Sequence, residues 1–143
     1  IHRSTKLFSK IIESDNLQVM RGLFFCEVSD YWKKHFLFGK ESSVSGKRLG
    51  SKSIDILLIN TVVPFLFAYF KKKNSDNDIA LKLLELIPAE KNVIIRKWME
   101  LGIGAFSAFD SQALLQLKKK YCDENKCLRG RIGHKVLSCP QKL

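Results

Sequence analysis

No stretch of this chain alternates apolar and polar residues with period two, so the pattern of a half-buried sheet is missing. No internal repeat is visible either. The residue order holds no His-Glu-x-x-His, no catalytic triad and no paired carboxylates of the kind that general acid–base work uses. Acidic residues are few, 14 against 25 Lys and Arg, which leaves a formal net charge of +11. The first residue is Ile1 rather than Met, and no basic-then-apolar leader with a cleavage site follows it. On that basis the chain is expected to be a piece of something longer. Cys26, Cys122, Cys127 and Cys139 do not space like a secreted disulfide framework, so a reduced, cytoplasmic setting is expected.

What is present favours helices. A length of 143 residues fits one domain with a real core. The hydrophobic fraction of 45% and the charged fraction of 27% are those of a folded soluble protein. The most apolar run is Ile54–Phe70, which as a helix spans roughly 25 Å, slightly short of a bilayer core. Asp55, Asn60 and Pro64 interrupt it, and charged segments flank it, so no membrane is expected. A helix apolar on nearly every face is otherwise the central one of a bundle, here with a bend at Pro64.

Around it, Leu7, Phe8, Ile11 and Ile12 form one helical stripe, and Leu17, Met20, Phe24 and Val28 a second, weakened by Gly22. Ser29 and Asp30 are N-cap types ahead of a helix over Tyr31–Phe38. Residues 39–53, rich in Gly, Ser and Lys/Arg, read as a mobile basic loop with Val44 and Leu49 as its apolar anchors. Its Gly46-Lys47 does not make a phosphate loop: Gly39 is too far upstream, and Arg48 replaces the Ser/Thr. Past the central helix, Asp76 or Asp78 can cap a stripe of Ile79, Ala80, Leu83, Leu84 and Ile87. Pro88 then opens a helix to Leu101, with Val93, Ile94, Trp98 and Leu101 facing inward and Gly102 as the residue after its cap. Ser107 and Asp110 have capping-box spacing, ahead of a helix to about Tyr121 that buries Leu114, Leu115 and Leu117. A cysteine-bearing turn over 122–133 and a short helix over His134–Leu137 complete the chain. The expected fold is all-α, a single irregular bundle of about six to eight helices around a buried central one.

Three stretches carry a family resemblance. They are Asp30-Tyr-Trp-Lys-Lys-His-Phe-Leu-Phe-Gly39, Asp55-Ile-Leu-Leu-Ile-Asn-Thr-Val-Val-Pro-Phe-Leu-Phe-Ala-Tyr69, and Asp110–Lys118 with Tyr121–Leu128 and Ile132-Gly133. Over about residues 28–137 the chain resembles an uncharacterised bacterial family, mostly from Bacteroidetes, known as domain of unknown function twenty-eight fifty-one. The resemblance implies a C-terminal helical part of a larger protein. Its N-terminal half would carry Asp, Glu and Lys motifs that look like a PD-(D/E)xK nuclease core, and it would be this chain's partner. Any metal-dependent phosphodiester chemistry would then lie outside these residues. The family's C-terminal Cys-x4-Cys-x2-Cys departs here, because Gly130 holds the third position.

Charge is uneven. Residues 1–53 carry +5, 54–112 carry 0 and 113–143 carry +6, a balance that suits nucleic acid or simply a solubilising surface. The candidate nucleic-acid contacts are Lys71, Lys72, Lys73, Lys118, Lys119, Lys120, Arg129 and Arg131. Tyr31, Trp32 and His35, one helical turn apart, form a candidate aromatic–imidazole cluster for stacking or base chemistry, against a core histidine donating to a backbone carbonyl. Asp55 answers the helix dipole, Asn60 is a structural amide, and Cys26 belongs to the core. Cys122, Cys127, His134 and Cys139 offer four ligands for zinc or, with a further thiol, an iron–sulfur cluster. With Gly130 where a cysteine would stand, no metal and no cofactor are expected, and the cysteines pack as small hydrophobes. The leading functional expectation is a non-catalytic accessory domain whose basic faces hold nucleic acid. The alternatives are a structural or protein-interaction domain and a small metal-binding module.

Overall fold

A computed structural model describes residues 6–44, 46–74 and 78–138. It is mainly helical, and its backbone divides into two compact units, residues 1–84 and 85–143.

The first unit is built on the long helix that the apolar run foretold. Labelled α4, it covers Ser51–Lys72, 22 residues. Short α1 (Leu7–Glu13) and α2 (Leu17–Leu23) precede it, and both pack against it. Asn16 starts α2 as an N-cap, its Oδ1 accepting from the N–H groups of Gln18 (2.8 Å) and Val19 (3.3 Å). On α1 the Phe8 ring lies 4.7 Å from Phe65 and 6.0 Å from Tyr69. Ile54, Leu58, Ile59, Val62, Val63 and Leu66 of α4 are buried, as are Ile11 and Met20. Together they are the core of this unit.

The burial of α4 is one-sided. Ile56, Asn60, Thr61, Pro64, Phe67 and Ala68 are exposed, so the expectation of a helix buried on nearly every face is corrected. By length and composition α4 could also cross a membrane. Pro64 does not need a sharp break. A π-helical turn over Leu58–Val62 widens the backbone just ahead of it, with Val63 N–H reaching back to Leu58 O, and Pro64 then sits at the start of the next α segment. A proline has no N–H to lose at such a position.

Helix α3 (Asp30–Lys34) stops four residues before the expected end at Phe38. Strands β1 (His35–Leu37) and β2 (Lys40–Glu41) follow as an antiparallel hairpin, pairing His35 with Glu41 and Leu37 with Lys40. Two local features override the helix. Aromatic Phe36 suits extended backbone, and Gly39 takes a left-handed φ of 71° in the turn that Phe38 opens. Ser42 secures the return, donating from its backbone N–H (2.7 Å) and its hydroxyl (3.1 Å) to Lys34 O. Helix α5 (Asp78–Leu86) buries Ala80 and Leu83, as its stripe predicts.

In the second unit, α6 (Val93–Glu100) and α7 (Ala108–Leu117) pack together. Asn92 caps α6, its Oδ1 accepting from Ile95 N–H at 2.9 Å. Of the four residues expected inward, Ile94 and Trp98 are half-buried, while Val93 and Leu101 are exposed and Ile95 takes the buried place, which corrects the expected face. Gly102 does close the helix. At φ 79°, with Ile103 N–H on Trp98 O (3.0 Å) and Gly102 N–H on Met99 O (2.9 Å), this is a Schellman ending.

Helix α7 opens with the expected capping box. Its buried residues are Ala108 and Ser111, while Leu114, Leu115 and Leu117 are only half-buried. The Ser111 hydroxyl earns its place by hydrogen bonding, donating to Ala108 O (3.1 Å) and accepting from Glu90 N–H (3.2 Å). The helix continues as a π turn over Lys118–Cys122 and ends at Asn125, φ 52°, with Lys126 N–H on Tyr121 O (2.8 Å). A 3-10 turn, Cys127–Arg129, leads into α8 (Arg131–Ser138).

Candidate functional site

The hairpin region of the first unit gathers more unusual chemistry than any other described stretch. Tyr31 on α3 and His35, four residues on at the start of β1, stack with ring centroids 4.0 Å apart and planes 3° from parallel. Trp32 meets Tyr31 edge-on at 5.1 Å, and Phe38 lies 4.8 Å from Trp32. The candidate trio therefore does come together, and the hairpin adds Phe38 to it. His35 Nδ1 donates to Tyr31 O at 2.8 Å, the backbone bond of the structural alternative, although the ring is half-buried and not in the core. The Tyr31 hydroxyl accepts from Gly39 N–H at 3.0 Å. The rings are thereby fastened to both ends of the hairpin.

Lys47 enters the sequence reading only through Gly46-Lys47, which does not make a phosphate loop, and no local signal points to the role that it has here. Its Nζ donates to His35 O at 2.7 Å and sits 3.5 Å from the centre of the Phe36 ring. This lysine secures residues 46–48 to the hairpin, while the expected anchors Val44 and Leu49 are exposed. Arg48 lies 5.9 Å from the Phe25 ring. Lys33, Lys47 and Arg48, with Glu27, Val28 and Gly46, line a concavity of about 220 Å³. Asp30 faces Lys33 at 2.7 Å, and that hydrogen bond holds the Asp30 carboxyl below its ordinary range and raises the Lys33 amine.

The other candidate cations are distributed over both units. Lys71, Lys72 and Lys73 close α4 and are exposed, with Lys73 Nζ 4.8 Å from the Tyr69 ring. In the second unit Lys119, Lys120, Arg129 and Arg131 are exposed, whereas Lys118 is half-buried and pairs with Asp123. Among the described residues only Lys118 of these eight forms an ion pair.

Two polar residues of α4 have partners that sequence order could not reveal. Asp55 receives a two-pronged bond from Arg21, Nε to Oδ1 at 2.7 Å and Nη2 to Oδ2 at 2.9 Å. A specific partner on α2, 34 residues away, thus replaces the expected answer to the helix dipole. Asn60 is exposed and donates to Ile56 O at 2.9 Å, a local structural bond. Cys26 is exposed, which corrects its assignment to the core.

Of the possible metal ligands, Cys122 is half-buried and His134 exposed, with His134 Nδ1 3.3 Å from Ser138 Oγ. Cys139 and the Cys127 side chain lie outside the described residues. Among the described residues no three His, Cys, Asp or Glu side chains group as a metal site.

The fold and surface define a mainly helical, strongly basic protein that carries one small aromatic hairpin. More particularly, the chain belongs to the family described as protein of unknown function (DUF2851), whose family model matches residues 1–93. That span takes in the motifs at Asp30–Gly39 and Asp55–Tyr69 and ends before the one that begins at Asp110. No curated protein and no solved structure matches the chain.

Proposed function

We propose that this chain is a non-catalytic helical accessory module that binds nucleic acid through its basic surface. The observation that carries this reading is the unneutralised charge. Of 25 Lys and Arg, few meet an acid among the described residues, and Lys71, Lys72, Lys119, Lys120, Arg129 and Arg131 stand exposed without one. Such a surface repels itself until a polyanion covers it. The resemblance adds a setting for it: a nuclease-like domain of the same cytoplasmic polypeptide would perform the chemistry, and this module would hold the strand. The module itself takes no metal in this reading. Elemental analysis after purification without chelator checks that point, since one zinc or iron per chain, lost in Cys127→Ser, would overturn it.

Fluorescence anisotropy with labelled DNA and RNA across a salt series tests the main reading. The logarithm of the binding constant is expected to fall linearly with the logarithm of salt, with a slope of about −0.9 per duplex phosphate contacted. The double variants Lys71→Glu/Lys72→Glu and Lys119→Glu/Lys120→Glu should flatten that slope. Binding that is undetectable at low salt, or indifferent to salt, refutes it.

A protein-interaction role is the second reading, and one feature of the second unit favours it. Phe106 is 89% exposed, with Leu101 and Met99 also exposed, and Met99, Val93, Ile95 and Ala105 line a mostly apolar groove of about 510 Å³. Co-expression with the upstream half of the polypeptide tests it: failure of the two to associate counts against this role.

A further inference from the structure

The hairpin is built unlike the rest of the basic surface. Phe36 is 69% exposed and Phe38 83%, with Leu37 between them also exposed. Large rings in solvent are a liability for a two-stranded ribbon, yet these are fixed in place. Phe36 falls at a register irregularity between His35 and Leu37, where a bulge can re-aim a side chain. Phe38 rests against Trp32 on one side, and the Tyr31 hydroxyl holds the Gly39 N–H of the turn. Lys47 crosses one face of Phe36 while tied to His35 O. The concavity beside it is lined by Lys33, Lys47 and Arg48 together with Glu27, and Lys33 also pairs with Asp30, so Lys47 and Arg48 carry its free positive charge.

We infer that this hairpin is a binding site for unpaired nucleic acid, with bases stacking on Phe36 and Phe38 and the adjoining phosphates held by Lys47 and Arg48. The inference rests on the proposed nucleic-acid reading and narrows it to a place and a strandedness. Stacking on a side-chain ring needs a base whose face is free, which a duplex does not offer. The cations stand where a backbone would run past stacked bases. A membrane surface is the competing occupant for exposed rings among lysines. Inserting Phe36 into lipid would drag the Lys47 ammonium, 3.5 Å from the ring centre, toward hydrocarbon, which is strongly unfavourable. Beside a nucleotide the same ammonium meets a phosphate.

The test uses the whole chain with labelled oligothymidylate and oligouridylate of about twelve residues, a length that one such site accommodates. A duplex of equal length and vesicles rich in phosphatidylserine are run alongside. The single strands should bind more tightly than the duplex, with the DNA and RNA arms showing which sugar is preferred. Phe36→Ala and Phe38→Ala should each weaken single-strand binding about tenfold, as loss of one stacked base does. Phe38→Leu keeps the bulk against Trp32 and removes the aromatic face, so it should behave like the alanine variant while circular dichroism stays unchanged. If the phenylalanine variants bind as the parent does while Lys71→Glu/Lys72→Glu weakens binding, the hairpin site is refuted and the broader reading stands. If no oligonucleotide binds, both fall. A duplex bound as tightly as the single strand overturns the site, and so do vesicles bound through Phe36 and Phe38 without any oligonucleotide.

Discussion

The Arg21–Asp55 pair is the sharpest test of how the first unit is held together. It joins α2 to α4 by two parallel hydrogen bonds of 2.7 and 2.9 Å, the fork geometry in which arginine binds a carboxylate most strongly. The side chains are 23% and 16% exposed, so the pair sits between two regimes. A fully exposed ion pair contributes at most about 1 kcal/mol. Breaking a fully buried one costs about 3–5 kcal/mol, because a charge is left behind without a partner. Partial solvent screening places each single truncation here at about 2 kcal/mol. Urea melts followed at the helical circular dichroism band should show this for Arg21→Ala and for Asp55→Ala, with unchanged m. The double variant should lose less than the sum of the two, by about 1–2 kcal/mol, because the second truncation removes the stranded charge. Asp55→Asn should resemble Asp55→Ala, since the amide offers one acceptor where the carboxylate offers two. Additivity of the two single changes within about 0.5 kcal/mol would refute the argument. It would mean that the pair is an ornament of the surface and that α2 is held by its apolar residues, buried Met20 with half-buried Leu17 and Leu23.

Leu58, 1% exposed on α4, should cost about 2–5 kcal/mol on truncation to Ala in the same urea melts, and a loss under 1 kcal/mol would mean that α4 is not packed as described. Gly102→Ala should destabilise the end of α6 by about 1–2 kcal/mol, because φ 79° is a conformation that a Cβ resists; a neutral result would show the ending to be frayed. At Asp110 the N–H groups of Phe106 and Ser107, then the Ser107 hydroxyl, hold the carboxyl below its ordinary value of 3.8. A folded-state value below the unfolded one gives stability that is present above about pH 4 and is lost as pH falls through the folded value. Asp110→Asn should therefore remove part of the acid dependence of stability between pH 4 and the folded value, and a pH profile identical to the parent's would contradict the capping box.

Much of the helical layout was legible in local chemistry. The Ser107–Asp110 box and Gly102 mark helix ends by residue types whose bonding partners lie within a few residues, so the signal is complete in the sequence. The apolar run from Ile54 to Phe70 fixed the existence of α4 because its hydrophobicity is too dense for a loop. Proline 64 could be seen, but the π turn that accommodates it could not, since widening the backbone at Leu58–Val62 depends on how that helix packs. Other features required distance. Arg21 and Asp55 lie far apart in the chain, and nothing in either neighbourhood selects the other. Lys47 reads as one cation in a polar loop until the fold sets it on Phe36 and under His35 O. The inward face of α6 was not fixed by spacing, because Val93, Ile94, Ile95, Trp98 and Met99 spread apolar groups around most of an eight-residue helix, and only packing buried Ile95 and left Val93 in solvent. The short hairpin was decided by the same kind of competition. Helix propensity through Phe38 is modest, and the left-handed Gly39 with the Tyr31 and Ser42 bonds tips the segment to extended backbone. Sequence alone settled most of the helical segments and where many of them stop, because those signals are local. Which charges meet, which rings stand in solvent and which face of α4 is buried were decided by tertiary structure, because each depends on a partner brought from elsewhere in the chain.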